Sequence, residues 1–206
     1  MYKRQAAVII NVTAVQATSN GFITVHACVD PAPTASSLNF TAGVNRGNEL
    51  VASLDTNGDI CIETSESIHL TVDVVAYVPA GTSLNSVTPA RLFDSRANNS
   101  SVDGLAPRTT KLAADEEVTI PIGGRAGVPA GASAAIVNVT AVAPEGGGFF
   151  TVHPCVSPRP LASSLNFVDG VNGGNEIVAS LDANGELCVF ASATTHITVD
   201  VVGYLD

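Results

Sequence analysis

The sequence predicts an all-β protein made of two tandem antiparallel β-sandwich-like modules. Residues 7–77 align without a gap with residues 134–204 at an offset of 127, and 44 of these 71 positions are identical. So regular a repeat indicates two copies of one structural unit. Both copies read as short apolar runs separated by turn residues, which is typical of a sandwich or barrel. The chain also has 46% hydrophobic residues, 18 glycines, 11 prolines and no tryptophan, a composition that favours β structure.

The stretch between the copies sets the predicted domain boundaries. Residues 79–133 have no counterpart before the first copy, and they contain two strand-like segments, 89–96 and 116–122, around a polar loop. If this stretch begins the second module, the first module is N-terminally truncated. We therefore expect a truncated module over residues 6–80 and a complete module over residues 81–206. In the alternative assignment the stretch completes the first module and leaves the second one unfinished.

The first five residues differ from the rest of the chain. Met1–Gln5 matches nothing at the corresponding place in the second copy. It resembles the translation of a transposon-derived sequencing adapter, so we expect an assembly scar on a metagenomic gene fragment and exclude it from fold reasoning. Under this interpretation the natural protein extends upstream; the alternative is a genuine short basic N-terminus.

Strand positions follow from two-residue alternation bounded by turn residues. The strands predicted in the second copy are 134–142, 148–156, 163–167, 176–181, 186–191 and 196–204. The Asn-Gly pairs at 57–58 and 184–185 predict type I′ hairpins, in which both central residues need a positive φ. No segment combines a sustained 3.6-residue period with caps, so essentially no helix is expected.

The cysteines predict two disulfides. Cys28, Cys61, Cys155 and Cys188 occupy the same two places in each copy. Because the modules look self-contained, pairing within each copy is favoured, as Cys28–Cys61 and Cys155–Cys188. Two isolated cysteines per unit make a poor zinc site, and neither a metal nor another cofactor is predicted. Paired disulfides indicate an oxidising compartment, so the expected location is extracellular or at a cell surface.

Charge and hydropathy narrow the classes of partner. The formal net charge is −10, and an acidic surface repels phosphate backbones, so nucleic-acid binding is not expected. No apolar run approaches the roughly 18–20 residues of a membrane span, and none is predicted.

A repeated group of histidines and aspartates is the first candidate for chemistry. It comprises His26, His69 and Asp73 in the first copy and His153, His196 and Asp200 in the second. Alternation places His196, Thr198 and Asp200 on one face of a strand. We interpret this face as polar, with cross-strand hydrogen bonds or an aspartate that anchors a turn. A metal site or part of a catalytic triad is the alternative.

Nearby serines do not form a recognisable nucleophile motif. Ser36, Ser37, Ser163 and Ser164 are available, but the chain has no Gly-x-Ser-x-Gly elbow. No catalytic residue is therefore assigned, and the protein is not expected to be an enzyme.

Two repeated polar segments, 37–49 and 164–176, are candidate ligand-binding regions. The candidate contacts are Asn39, Asn48, Glu49, Asn166, Asn175 and Glu176. Amide and carboxylate groups on a rigid scaffold can hydrogen-bond a glycan, although such sites usually add an aromatic platform, and this chain has only three tyrosines. The alternative is that the asparagines serve turns with a positive φ. Separately, Arg91, Asp94 and Arg96 are expected to form a structural ion pair that closes the module.

The order of motifs resembles a known domain family. The motifs are P-A-R-L-F-D-S-R, N-V-T-A-V, G-F-F-T-V-H-P-C, S-S-L-N-F and H-I-T-V-D-V-V-G-Y. They resemble a β-rich repeat domain of secreted and cell-wall-associated proteins of high-GC Gram-positive bacteria, often found in tandem and beside hydrolase domains. The resemblance covers nearly all of residues 88–205, and residues 7–78 without the leading motif. It implies location and architecture, with adjoining domains of a longer polypeptide, but no activity.

Together these observations lead to a functional expectation. We expect a non-catalytic extracellular module of a secreted or surface protein, acting in adhesion, as a cell-wall or glycan-binding accessory, or as a spacer. The expected partner is a cell-wall polymer or surface glycan. The alternatives are a hydrolase-type enzyme using the repeated His/Asp face, and a structural subunit of a virion or appendage.

Overall fold

The chain divides into two all-β units. The computed structural model describes residues 5–28, 36–79, 82–97, 101–105, 107–155 and 158–206. The units are Met1–Thr82 and Ser83–Asp206. All described strand pairs are antiparallel, and the described residues contain no helix, as the sequence predicts. The adapter-like residues 1–4, Val156 of one predicted strand and part of the loop 97–110 lie outside the described residues.

The described residues of the first unit form six strands in two sheets. They are β1 Gln5–Val15, β2 Gly21–Ala27, β3 Leu38–Phe40, β4 Arg46–Ser53, β5 Ile60–Thr64 and β6 His69–Pro79. One three-stranded sheet has the order β4-β1-β6, and the other has the order β3-β2-β5.

The second unit repeats this arrangement with one more strand in each sheet. Its strands are β7 Leu84–Asp94, β8 Glu116–Pro121, β9 Ala134–Glu145, β10 Gly148–Pro154, β11 Leu165–Phe167, β12 Gly173–Ser180, β13 Glu186–Ala191 and β14 Thr194–Leu205. The sheet orders are β12-β9-β14-β7 and β11-β10-β13-β8. The added edge strands, β7 and β8, come from the stretch that lacks a counterpart before the first copy.

The first and last strands of the second unit are neighbours. β7 pairs antiparallel with β14 from Leu84 opposite Leu205 to Asp94 opposite Thr198, with two register shifts on the way. On its other side β14 pairs with β9. The last strand of this unit is therefore central in its sheet.

Both sheets of the second unit contribute to one core. Val137 and Val139 of β9 meet Leu187 and Val189 of β13, together with Phe150 of β10, and all are buried. The alternating apolar residues of each strand point inward, as two-residue periodicity requires for a half-buried sheet. Ile197, Val199 and Val201, which alternate with His196 and Asp200 along β14, are fully buried in the same core.

The predicted hairpins at the two Asn-Gly pairs are wrong. β4 and β5 belong to different sheets, so the turn between them carries the chain from one sheet to the other. The Asp55 N–H donates to Asp59 O and the Gly58 N–H to Asp55 O, which encloses a three-residue loop. Gly58 has φ 91°, whereas Asn57 does not have a positive φ. This is the pattern of a type I turn followed by a left-handed glycine, not of a type I′ turn. The second unit repeats it at Asp182, where Gly185 has φ 75°.

Each unit carries one disulfide, paired as the sequence predicts. Cys28 is bonded to Cys61 and Cys155 to Cys188, and no described cysteine is free. Each bridge joins the end of a strand to its neighbour in the same sheet, since His153 stands opposite Cys188 in the β10–β13 pair. Among the described residues, no helix is long and apolar enough to cross a membrane.

Removing one bridge is expected to destabilise only the unit that contains it. In the chain-entropy model, the Cys155→Ala/Cys188→Ala double variant should lower the free energy of unfolding of the second unit by about 3–4 kcal/mol. Denaturant titration of the full chain would measure this loss, with the Cys28→Ala/Cys61→Ala variant as the matched control for the first unit. Non-reducing peptide mapping of the wild type should recover the two bridges; a link between Cys28 and Cys155 would contradict the fold.

Candidate functional site

A row of polar side chains crosses the outer face of the β12-β9-β14-β7 sheet. Glu176 of β12 stands opposite Asn138 of β9, which stands opposite Asp200 of β14, which in turn stands opposite Arg91 of β7. We call these four residues the outer polar row. It arises because residues alternate with the buried apolar ones along each strand, so one polar position per strand falls at the same level of the sheet.

The Arg91 end of the row is a network of charges. The Arg91 Nε and one terminal nitrogen donate to the two carboxylate oxygens of Asp200, at 2.8 and 2.9 Å. Its other terminal nitrogen donates to Asp94 at 3.0 Å. Arg96 donates to the same carboxylate from Nε, at 2.9 Å, and from a terminal nitrogen, at 2.7 Å. The ion pair predicted among Arg91, Asp94 and Arg96 is therefore present, with Asp200 as a fourth member.

The network holds the Asp94 carboxylate in the charged form. The Asp94 side chain is fully buried between the two guanidinium groups. Burial alone would raise the pKa of Asp94, but the hydrogen bonds and charge of Arg96 lower it overall. The hydrogen bond to Asp200 raises the pKa of Arg91. Two positive and two negative charges thus compensate each other where β7 meets β14.

His196 contacts a serine that lies far away in the sequence. The Ser95 hydroxyl is 3.1 Å from His196 Nδ1 and accepts the Ile197 N–H at 2.9 Å. Ser95 is 0% exposed, and its own backbone N–H donates to Ile197 O. The serine therefore bridges the end of β7 to β14. This supports the interpretation of the His/Asp face as a polar face with cross-strand hydrogen bonds.

A buried arginine joins the loop between β7 and β8 to the core of the second unit. Arg125 donates to both carboxylate oxygens of Asp103, each at 2.7 Å. It also donates to the carbonyl oxygens of Leu92 and Pro121. The side chain of Arg125 is only 6% exposed. One guanidinium group thus ties together β7, β8 and the loop between them.

The structure gives two of the predicted ligand-binding asparagines an internal partner. The Asn175 amide donates to Ser164 O at 2.8 Å, and Asn175 is buried. Its counterpart Asn48 donates in the same way to Ser37 O at 2.8 Å. Each bond links β12 or β4 of one sheet to the segment that enters the other sheet. These amides hold the two sheets together, and a ligand contact by them stays a prediction.

The other two asparagines of the predicted set bond to serines three residues earlier in the chain. The Asn39 and Asn166 amides donate to Ser36 and Ser163 hydroxyls at 3.2 and 3.4 Å. Both asparagines lie on the short strands β3 and β11, outside the outer polar row.

The two glutamates of the set are not equivalent. Glu49 is buried, whereas Glu176 is exposed. The Glu176 carboxylate makes no hydrogen bond or ion pair with any other described residue. Of the predicted contacts, Glu176 is thus the one whose charged group faces solvent.

The surroundings of Glu176 form a shallow hydrogen-bonding surface. The neighbouring Asn138 is half-buried, and its Oδ1 accepts the Thr140 hydroxyl at 3.2 Å. Gly174 stands opposite Thr140 in the β12–β9 pair. A Cβ added at Gly174 would lie 2.8 Å from Thr140 Oγ1 and 3.2 Å from Asn138 Oδ1. The glycine leaves the amide and hydroxyl accessible beside the carboxylate. A carboxylate, an amide and a hydroxyl at this spacing offer both donors and acceptors.

His153 of the other sheet is buried and satisfied. Its Nδ1 is 2.7 Å from Pro154 O, and its Nε2 is 3.1 Å from the Glu117 carboxylate. Glu117 lies on β8, which the first unit lacks among its described residues; there His26 is 3.7 Å from Glu63 instead. The histidines that repeat in the sequence therefore have different carboxylate partners in the two units.

The residues that sequence reasoning missed are Ser95, Asp103, Glu117 and Arg125. Arg125 had a local signal, because it lies in a G-G-R-A-G run in which Gly124, Ala126 and Gly127 all have a positive φ. Glycines in such a run indicate a turn or loop, but they do not predict which side chain is buried. The other three had no such local signal.

One group of metal-ligand types comes together in the second unit. Cys155, Asp182 and Glu186 have ligand atoms within 4.8 Å of one another. The Cys155 sulfur is in a disulfide, and Asp182 Oδ1 accepts the N–H groups of Asn184 and Glu186. The thiolate that a metal needs is not present, so the arrangement is explained by the bridge and the turn.

Comparisons with known proteins add little to this description. No family model matches the chain, and no curated protein matches it. Among solved structures, the extracellular domain of ANXUR1 from Arabidopsis thaliana is similar with a TM-score of 0.26 and 8% identity, over 96% of this chain and 78% of that one.

Proposed function

We propose that this protein is a non-catalytic extracellular module of a secreted or cell-surface protein, and that it contacts a cell-wall polymer or surface glycan. In this proposal the contact surface is the solvent-facing half of the outer polar row, around Glu176. The observation that carries it is a contrast: Ser95 and Asp200, whose side-chain types suit catalysis, are committed to internal bonds, while the Glu176 carboxylate makes no hydrogen bond or ion pair with another described residue.

The non-catalytic part of the proposal rests on burial and pairing. Ser95 is fully buried and is engaged by His196 and Ile197, so its hydroxyl does not reach solvent. The Asp200 carboxylate accepts hydrogen bonds from two nitrogens of Arg91, Nε and one terminal nitrogen. A nucleophile needs access to substrate and a base free to take its proton. Ser95 does not meet the first of these conditions, because its hydroxyl is buried.

The extracellular part rests on the two disulfides. Each unit of about 100 residues is closed by its own bridge. Bridges of this kind persist in oxidising compartments and are rare in the cytosol. The resemblance to a repeat domain of secreted and cell-wall-associated bacterial proteins points the same way.

The polymer contact is expected to be weak and polar. Glu176, Asn138 and Thr140 lie on two neighbouring strands of one sheet, and the chain has three tyrosines and no tryptophan to stack on a sugar. Shallow polar contacts leave little net free energy after the ordering costs of binding. The corresponding Glu49, Asn11 and Thr13 are buried, so we assign the contact to the second unit.

The test is binding of the full chain to a glycan array and to isolated cell-wall polymers. We expect measurable binding that Glu176→Ala weakens roughly three- to tenfold, as expected for the loss of one or two solvent-facing hydrogen bonds. Asp59→Ala is the matched control, because Asp59 is an exposed carboxylate on a turn of the first unit. It should leave binding unchanged.

Three outcomes would contradict parts of the proposal. Failure to bind any wall polymer or glycan would remove the contact and leave a purely structural module. Equal losses in Glu176→Ala and Asp59→Ala would show a nonspecific charge effect. Hydrolysis of any substrate, abolished in His196→Ala, would overturn the non-catalytic assignment.

A further inference from the structure

The strand β6 of the first unit has an open edge. Within the described residues β6 is hydrogen-bonded to β1 alone, while its counterpart β14 is hydrogen-bonded to β9 on one side and to β7 on the other. The two strands are nearly identical: His69–Tyr77 and His196–Tyr204 differ only at Leu70/Ile197 and Ala76/Gly203. The same strand sequence is therefore seen once with a neighbour on this edge and once without.

The apolar face of β6 is exposed where that of β14 is buried. Leu70, Val72 and Val74 are 38%, 40% and 71% exposed. Their counterparts Ile197, Val199 and Val201 are each 0% exposed. Tyr77 of β6 is also exposed, at 59%. A contiguous apolar strip of this kind beside unpaired backbone groups marks an interaction surface.

The polar face of β6 lacks the same neighbour. Asp73 makes no hydrogen bond or ion pair with any other described residue, whereas its counterpart Asp200 accepts two hydrogen bonds from Arg91 of β7. In the second unit Arg91 is the residue opposite this aspartate across the strand pair. Asp73 is thus positioned to receive an arginine from a strand on the open edge.

We propose that the open edge of β6 binds an extended segment by strand addition, and that this segment has the sequence pattern of β7. The incoming strand runs antiparallel to β6. Its arginine pairs with Asp73, and the two apolar residues after that arginine cover Val72 and the core behind it. The pairing of β7 with β14 in the second unit defines both the partner's chemistry and its register.

Charge favours a segment with this pattern. The segment P-A-R-L-F-D-S-R at residues 89–96 carries two arginines and one aspartate, a net charge of +1. In the second unit Asp200 supplies the fourth charge and makes the cluster neutral. Asp73 would do so in the first unit, and the chain as a whole carries a net charge of −10. Backbone hydrogen bonds supply affinity in this binding mode, and side chains at alternate positions supply specificity.

The test uses the full chain and a fluorescently labelled synthetic peptide with the sequence of residues 84–96. Fluorescence anisotropy should show saturable binding of one peptide per chain. A peptide with Arg91→Glu should bind at least about tenfold more weakly, because a half-buried bidentate ion pair contributes a charge-assisted hydrogen bond or more. A peptide with Leu92→Asp and Phe93→Asp should not bind.

A charge exchange distinguishes recognition by Asp73 from nonspecific attraction. The chain variant Asp73→Lys should lose affinity for the wild-type peptide and regain it for the Arg91→Glu peptide. Asp59→Lys, an equal change at an exposed turn of the same unit, should behave as wild type. Circular dichroism and intact disulfides would establish that each variant is folded.

The outcomes are decisive in both directions. Rescue of binding by the exchanged pair supports the proposal. Absence of saturable binding to the folded chain would overturn it, as would equal binding of the wild-type and Arg91→Glu peptides. A stable dimer of the chain that the peptide does not dissociate would also overturn it, since β6 would then pair with a second copy.

Discussion

Replacing Arg125 by methionine is expected to lower the free energy of unfolding of the second unit by about 3 kcal/mol. The guanidinium group of Arg125 is buried and donates hydrogen bonds to the Asp103 carboxylate, Leu92 O and Pro121 O. Methionine fills much of the volume but leaves two carbonyl oxygens without this donor, and the Asp103 carboxylate keeps only its hydrogen bonds from Ser101 and Leu105. Chemical denaturation followed by circular dichroism would measure the loss. Arg46→Met, at an exposed arginine without side-chain partners among the described residues, should change stability by less than about 0.5 kcal/mol.

The dependence of stability on pH provides a second readout for the same contact. The hydrogen bond from Arg125 holds the pKa of Asp103 well below its usual range. Because the folded pKa is lower than the unfolded value of about 4, the stabilisation is present above pH 4 and is lost as the pH falls below it. Arg125→Met should therefore flatten the acid limb of the stability curve. An unchanged acid limb would show that the low pKa of Asp103 does not depend on the hydrogen bond from Arg125.

The two units are expected to unfold separately, the first well before the second. Leu70, Val72 and Val74 are partly exposed where their counterparts are buried, which removes on the order of 3 kcal/mol of hydrophobic stabilisation from the first unit. For units of this size such a difference shifts the midpoint of thermal unfolding by more than about 10 °C. Scanning calorimetry of the full chain should show two transitions.

Separate fragments would assign these transitions. Residues 83–206 alone should reproduce the upper transition as a soluble, cooperative unit. Residues 5–82 alone should be loosely folded or self-associate, because the open edge of β6 presents unpaired backbone groups. Equal stability of the two fragments would contradict the structural difference between β6 and β14.

Periodicity predicted the strands well because burial in a sandwich needs one apolar face per strand. β13 has the predicted bounds, and along β14 the face opposite His196 and Asp200, formed by Ile197, Val199 and Val201, is buried. The hairpin error has a different origin. A turn within a sheet and a turn between sheets use the same Asn-Gly chemistry, and the difference depends on which distant strands lie beside each partner. That information is absent from residues 55–59.

The candidate site was less accessible to sequence reasoning. Ser95 meets His196 across 101 positions of the chain, so no local pattern could pair them. Asn175 is a different case: it alternates with Ile177 and Ala179, which are buried, so the two-residue period places its side chain inward. Its polar character favoured a ligand contact instead. Glu49 and Glu176 have nearly the same sequence around them yet differ in burial, which only the folded chain reveals.

The pairing of Leu84 with Leu205 determines how the second unit would respond to tension. Both ends of the unit leave the sheet side by side, because β7 and β14 are antiparallel and begin and end at the same level. A force applied to these ends would load the pair in an unzipping geometry. Its hydrogen bonds would break one after another rather than all together in shear. Because these ends lie side by side, the folded unit would add little to the length of a stretched chain before the strand pair opens. Such a unit is suited to be carried at one point of a longer chain and to yield when that chain is pulled.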